Sequence, residues 1–202
     1  SRPVQLWFGE FIHGILEEAF RRYQDSIKKK KPSLPPWSAP EVEEIRSLIK
    51  KRLAAKGLYP WDLELEKLGD NTAETLIQEL GPHLFTLIHR AEVRLYGARM
   101  LPKIPKPFQF RDADRYEMVG IIDVVTHVEL NEPTFQNNLL LKEVLKVLPV
   151  SQDEKFEVIV DYKGMRRPSH KNGAGHVGLW EQYAWQLQTY GELRRRQPDA
   201  LP

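Results

Sequence analysis

Two acids and a lysine interrupt apolar stretches of this 202-residue chain where an uncharged residue would be cheaper. The segment Phe156 to Gly164, FEVIVDYKG, runs apolar up to Asp161, with Lys163 two places on. Residues two apart in a strand face the same side. Both side chains therefore project together at the exit of a buried strand, where α/β sheets usually carry their sites. A second acid, Asp123, sits in GIIDVV among Ile121, Ile122, Val124 and Val125, where a carboxylate is costly. Two carboxylates on neighbouring strands with a lysine nearby make an oxygen-ligand site suited to Mg²⁺ or Mn²⁺. Such an ion polarises a phosphate and lowers the pKa of bound water, while the lysine orients that water or helps deprotonate it. Structural alternatives stand beside this chemistry. Asp161 and Lys163 also suit a carboxylate–ammonium pair capping a strand end. A turn-forming aspartate is the alternative for Asp123, although it fits poorly in a β-branched run.

Two further features are weaker alone. His13, in GEFIHGILEEAF, lies at the edge of a helical apolar stripe beside Gly9, Leu16 and Phe20, as a core-edge imidazole or as a ligand. Gly9 and Gly14 lower helix propensity, so a close approach by backbone or ligand is the expected reason for them. Gln186 and Tyr190 are four apart in WEQYAWQLQTYGELRRR and share a helix face, which ordinary amphipathic packing also explains.

The elements that must position these residues follow from periodicity. Apolar residues at 8, 11, 12, 15, 16, 19, 20 and 23 predict a first helix over 6–23. A Pro-rich connector, PSLPPWSAP, precedes a second helix that starts near Pro40 or Glu41 and buries Val42, Ile45, Ile49 and Leu53, with Arg46, Lys50, Lys51 and Arg52 on its other face. Asn71 with Glu74 fits a capping box opening a third helix through Leu76 to Ile88, kinked or split at Gly81-Pro82. Beyond residue 90 the period changes. Strands are expected at Glu92–Tyr96, Phe108–Phe110, Met118–Val128 and Phe156–Lys163, the last two buried. A short helix is expected at Leu139–Leu148, a glycine-rich loop at Gly164–Gly178 and a final helix at Leu179–Arg196. The order predicts one α/β domain with a central sheet.

Composition bounds the partners. Hydrophobic residues at 41% and charged residues at 29% are ordinary for a globular protein. A formal net charge of +2 means that affinity for an acidic polymer has to come from local clusters. The chain has no cysteine, which removes disulfides, thiolate metal sites and cysteine-ligated clusters within it. No apolar run approaches a membrane span and nothing resembles a signal peptide, so a cytoplasmic or other intracellular protein without membrane contact is expected. Both ends look abrupt, as if cut from a longer chain.

In this order, Gly9-x-x-x-His13, Gly120-Ile-Ile-Asp123, Asp161-Tyr162-Lys163 and Gln186-Leu-Gln-Thr-Tyr190 resemble the successive motifs of the RecB-like branch of the PD-(D/E)XK nuclease superfamily. That branch includes the RecB nuclease domain, the CRISPR-adaptation nucleases and exonuclease V type enzymes. The match spans residues 9–190. It implies a single nuclease domain over 1–202 with a restriction-endonuclease-like core, a central mixed β-sheet flanked by helices, and a helical insertion at about 35–90. It also implies that His13, Asp123, Asp161 and the backbone carbonyl of Tyr162 bind a divalent metal, Mg²⁺ or Mn²⁺. Lys163 would be the catalytic lysine, and Gln186 with Tyr190 would help hold DNA or the lysine. Glu92 would match an acid commonly found on an earlier strand. Several relatives carry a four-cysteine iron–sulfur cluster; this chain departs from them, so no such cluster lies within it.

The expected activity is therefore metal-dependent DNA hydrolysis, with exonuclease action on DNA ends or single strands in repair, recombination or defence. The alternative is a catalytically silent nuclease-like module that binds nucleic acid or a repair partner. A purely structural scaffold leaves Asp123 unexplained. Arg166, Arg167 and Lys171 follow Lys163 on a loop, where they would neutralise phosphates beside the scissile bond. Lys28–Lys31 and Arg194–Arg196 read as a solvated cluster and a helix end complementing its dipole. Trp180, Tyr183 and Trp185 read as helix packing, with base stacking the alternative, and the five tryptophans as mostly core.

Overall fold

The computed structural model describes residues 2–100, 115–131, 137–147, 155–162 and 178–201. They fall into two compact units, one within 1–88, 129–154 and 162–167, the other within 89–128, 155–161 and 168–202.

The described part of the first unit is helical. It comprises α1 (Arg2–Lys28), α2 (Ala39–Ala55), α3 (Leu63–Thr75), a π-helical turn (Leu76–Leu80), α4 (Gly81–Leu84) and α5 (Leu139–Leu145). α1 outruns its predicted bounds but buries the expected stripe: Phe11, Ile12, Ile15, Leu16, Ala19 and Phe20, with Trp7 in place of Phe8. Val42, Ile45, Ile49 and Leu53 of α2 are buried as expected, and α2 and α3 both pack on α1. α2 comes so close that a Cβ on Gly14 would stand 2.9 Å from Ile49 Cγ2. Glycine at 14 is therefore a packing requirement. The basic face of α2 is not simply solvated, because Lys50 Nζ donates to Glu66 and Asp70 of α3, each at 2.8 Å.

Sequence and structure part at α3. The helix is capped nine residues before the expected Asn71, at Asp62, whose Oδ1 accepts from Leu65 N at 2.7 Å. Asn71 and Glu74 lie inside α3. An acid or amide three residues before Glu is a common pattern, and the local pairing that won is the Asp62 cap. Past α3 the chain widens into the π turn, and Gly81-Pro82 open α4 rather than breaking a continuous helix. Proline in a first helical turn loses no intrahelical bond.

The second unit is mixed: β1 (Ile88–Met100), β2 (Arg115–Glu129) and β3 (Lys155–Val160) form an antiparallel sheet in the order β1-β2-β3, and α6 (Leu179–Arg195) packs on β3. Its core joins Val93, Leu95, Ile122, Val125 and Leu193, with Met118, Ile159 and Tyr190 packed against them. β2 was expected to be buried throughout. Its first half is instead one-sided, with Val119 63% and Ile121 47% exposed, and only Ile122 to Val128 are largely enclosed. β3 stops at Val160, so Asp161 lies just past the strand. The expected strand at 108–110 and the loop at 164–177 lie outside the described residues.

Of the tryptophans, Trp7 alone is buried, while Trp61, Trp180 and Trp185 are 68%, 40% and 76% exposed, which corrects the core assignment. Among the described residues, no helix is long and apolar enough to cross a membrane.

Ile45 is fully buried between α2 and α1. Ile45→Ala is expected to cost about 2–5 kcal/mol by lost transfer energy and the cavity left behind, read as a lower midpoint in urea unfolding.

Candidate functional site

In the helical unit, α1 presents a half-buried His13. Its Nε2 lies 3.1 Å from the backbone oxygen of Tyr162, a contact across 149 positions of chain. A carbonyl only accepts, so this nitrogen carries the proton and donates. The Tyr162 ring meets the imidazole edge-on, with centroids 5.6 Å apart and planes at 83°. One turn before His13 on the same helix face is Gly9, and a Cβ added there would meet nothing within 4 Å among the described residues. The two glycines flanking His13 thus differ. Packing demands the one at 14 and leaves the one at 9 unexplained.

A hard cation can be tested against this pair. Ligands about 2.1 Å from an octahedral Mg²⁺ stand about 3.0 Å from one another when adjacent. The separation of His13 Nε2 and Tyr162 O matches that spacing. Once Nε2 gives up its proton, an imidazole nitrogen and a carbonyl oxygen are donors that Mn²⁺ accepts together. The residues fit.

In the sheet unit, Asp123 is half-buried on β2 between the buried Ile122 and Val124. Its position coincides with a break in the pleat. Gly120 faces Tyr190 of α6, and Ile122 joins the cluster around Leu193. Val125 joins that same cluster, and His127 reaches Glu157, which is held by Arg194 of α6. Even positions face α6 before Asp123 and odd positions after it. The alternation slips by one residue between Ile122 and Val125, as at a β-bulge, a device that re-aims side chains. The Thr126 hydroxyl then lies in the ladder itself, accepting from Val158 N at 3.0 Å and donating to Val158 O at 3.1 Å. Asp161 is half-buried one residue beyond β3.

α6 supplies the fourth motif. Gln186 Nε2 donates to Tyr190 Oη at 2.7 Å, so the two share a face as their spacing predicts. Tyr190 also explains Gly120, because a Cβ there would fall 2.8 Å from Tyr190 Cε1. An open groove of about 700 Å³ runs along this face, lined by Gln182, Trp185, Gln186, Thr189 and Tyr190 among others. Trp185 is exposed rather than packed, contrary to the expectation for it.

The structure thus joins His13 to Tyr162 in one unit and Gly120 to Tyr190 to Gln186 in the other. Among the described residues, no three His, Asp or Glu side chains gather into a group that could hold a metal. Lys163, Arg166, Arg167 and Lys171 lie outside the described residues. Sequence reasoning passed over the cluster of His89, His127, Glu157 and Arg194, and assigned Arg194 to a helix end. Its side chain is 4% exposed and bonds Glu157 through Nε at 2.9 Å and Nη2 at 2.8 Å. The available signal was Arg194 four places after Tyr190, on the packed side of α6.

If Tyr190 is what excludes a side chain at 120, the two sites must be coupled. Gly120→Ala is expected to cost about 1–3 kcal/mol in otherwise native protein and distinctly less beside Tyr190→Ala, in a double-mutant cycle by urea unfolding. Equal costs in the two backgrounds would remove the packing account.

Comparison with family models, with curated proteins and with solved structures finds no match for this chain.

Proposed function

We propose that the chain is a divalent-metal-dependent deoxyribonuclease hydrolysing phosphodiester bonds, of exonuclease type on DNA ends or single strands. The observation that carries this reading is the 3.1 Å approach of the His13 imidazole to the Tyr162 carbonyl. It brings together two positions, far apart in sequence, that the motif order independently marks as donors. In this reading His13, Asp123, Asp161 and the Tyr162 carbonyl would hold Mg²⁺ or Mn²⁺, and Lys163 would take or steady a proton of the attacking water. The cation supplies charge stabilisation at the phosphate and a lower pKa for water. Gln186 occupies an acceptor site on the Tyr190 oxygen, so the phenol proton is turned outward to donate. Arg166, Arg167 and Lys171 neutralise flanking phosphates.

Two further observations, one in each unit, support nucleic-acid binding. Among the described residues nothing fills the space beside Gly9, one turn from His13, which comes at a cost in helix propensity. The exposed Trp185 borders an amide-lined groove beside Gln186 and Tyr190, a surface on which a base can stack.

Asp161→Ala and Lys163→Ala are each expected to abolish Mn²⁺-dependent degradation of end-labelled single-stranded DNA while leaving the circular dichroism spectrum unchanged; chelation should abolish it in the unaltered protein. Undiminished cleavage by either variant in a clean preparation rejects the assignment. Binding without cleavage by the unaltered protein selects the silent module instead. Gly9→Ala should stabilise the protein by about 0.5–1 kcal/mol, since its methyl meets nothing, yet lower the cleavage rate. An active, stabilised variant would mean that the open space has no catalytic purpose.

A further inference from the structure

The sheet unit contains a charge cluster that the reading above does not use. His89 on β1 and His127 on β2 stack with ring centroids 3.6 Å apart and planes at 10°. His127 Nε2 donates to Glu157 Oε1 on β3 at 2.8 Å. That oxygen also accepts from Arg194 Nη2 of α6 at 2.8 Å. Arg194 continues to the segment after α6, reaching Asp199 Oδ1 at 2.8 Å and the Asp199 backbone oxygen at 2.9 Å. Arg90, beside His89 on β1, grips Asp199 Oδ2 at 2.7 Å. The backbone N–H of Leu201 adds a hydrogen bond to Glu157. Residues 197–201 are thus held to the sheet by one connected network.

The balance of charge is close. The groups facing the stack are Arg90 from β1, Glu157 from β3, Arg194 from α6 and Asp199 from the tail. The two guanidiniums and two carboxylates cancel when both imidazoles are neutral. The inner pair has little solvent to screen it, with Glu157 and Arg194 side chains 5% and 4% exposed. One proton on the stack is an excess charge beside Glu157; a second would set two imidazoliums face to face, next to two arginines.

We propose that His89, stacked on His127, is the proton-operated part of a latch that holds the segment after α6 against the sheet at neutral pH and loosens it on mild acidification. When the rings part, Glu157 loses a donor and Arg90 moves with His89 away from Asp199. His89 is held below its ordinary pKa of 6.5, first by the partial desolvation of a ring that is otherwise exposed, and then by His127 and Arg90. A histidine with a depressed folded-state pKa contributes stability that is full above its unfolded pKa and lost as the pH falls from there toward the folded value. The latch therefore weakens below about pH 6.5. Glu157, which burial alone would raise, is held below its usual range by Arg194 and His127, so it stays ionised through this interval. Asp199 is likewise held down to about 2 by Arg194.

The test is independent of metal and of catalysis. Hydrogen exchange at Arg194 Nε–H and at the Leu201 amide, corrected for intrinsic rates, would be followed by NMR from about pH 7.5 to about pH 5.5. In the unaltered protein both are expected to lose about tenfold in protection. His89→Gln removes the exposed ring and leaves the His127–Glu157 bond, and should flatten the profile; His89→Gln/His127→Gln should flatten it as well. A flat profile in the unaltered protein, or an equal loss in the His89→Gln variant, overturns the latch.

Discussion

Among the described residues, Glu18 in one unit and Glu157 in the other are carboxylates almost wholly withdrawn from water, and each dictates what surrounds it. An ionised acid withdrawn from water costs several kcal/mol unless cations and hydrogen bonds replace the solvent. In the sheet unit Glu157 is met by the two-pronged guanidinium of Arg194, so α6 can dock on β3 in only one register. Arg194 is one turn beyond Tyr190, and Tyr190 is what closes on Gly120. The register that satisfies the ion pair is therefore also the register that places the Gln186–Tyr190 pair. In the helical unit Glu18, 2% exposed, plays the corresponding part, with Arg21 bonding it through two nitrogens and Arg22 and Arg52 at 3.5 Å. Burial would raise its pKa, and the arginines outweigh that and hold it below the usual range.

The elements legible in the sequence are those whose side chains bury along a single period. α1, α2 and α6 were readable for that reason, and β2 from its nearly continuous β-branched run, each within a few residues at its ends. α3 was not, because its start is fixed by one Asp62 side chain and its interior carries few buried positions, Gly69 and Ala73 among them. Exposure was the harder quantity. A tryptophan in an amphipathic helix reads as core, yet Trp185 is turned away from Leu193, and only the docking of α6 decides which face is covered. Arg194 failed in the opposite sense. A run of three arginines at a helix end suggests solvent, and nothing local reveals that the first of them answers a glutamate on a distant strand.

The candidate site shows the same division. Residue type and burial pattern singled out Asp123 and Asp161 without any structure, whereas His13, Gln186 and Tyr190 stood out only through the order of motifs and the resemblance it carries, since each alone reads as ordinary packing. What order could not provide is why particular neighbours are glycine. Gly14 and Gly120 admit Ile49 and Tyr190, and these are facts of packing that no spacing rule contains. Nor could the alternation of β2 be trusted past Ile122, since a single slipped residue reverses which side chains face α6.

Positions where a chain breaks its own local rules separate a scaffold from a site. Positive φ at Gly57 and Lys30 is accounted for by helix ends: Leu58 N bonds Leu53 O after α2, and Lys31 N bonds Ser26 O after α1. Glu92 has φ 51 in the middle of β1, where no helix ends and where a non-glycine residue is strained. Gly9 weakens a helix interior with nothing among the described residues packed against the place of its missing side chain. Asp123 puts a carboxylate among aliphatic neighbours at a slip in the pleat. Gly9 and Asp123 fall within the motif order, and Glu92 lies outside its four motifs. Local inconsistency is expected to concentrate where a sequence serves chemistry rather than folding, so these are the positions at which a proposed site has most to explain.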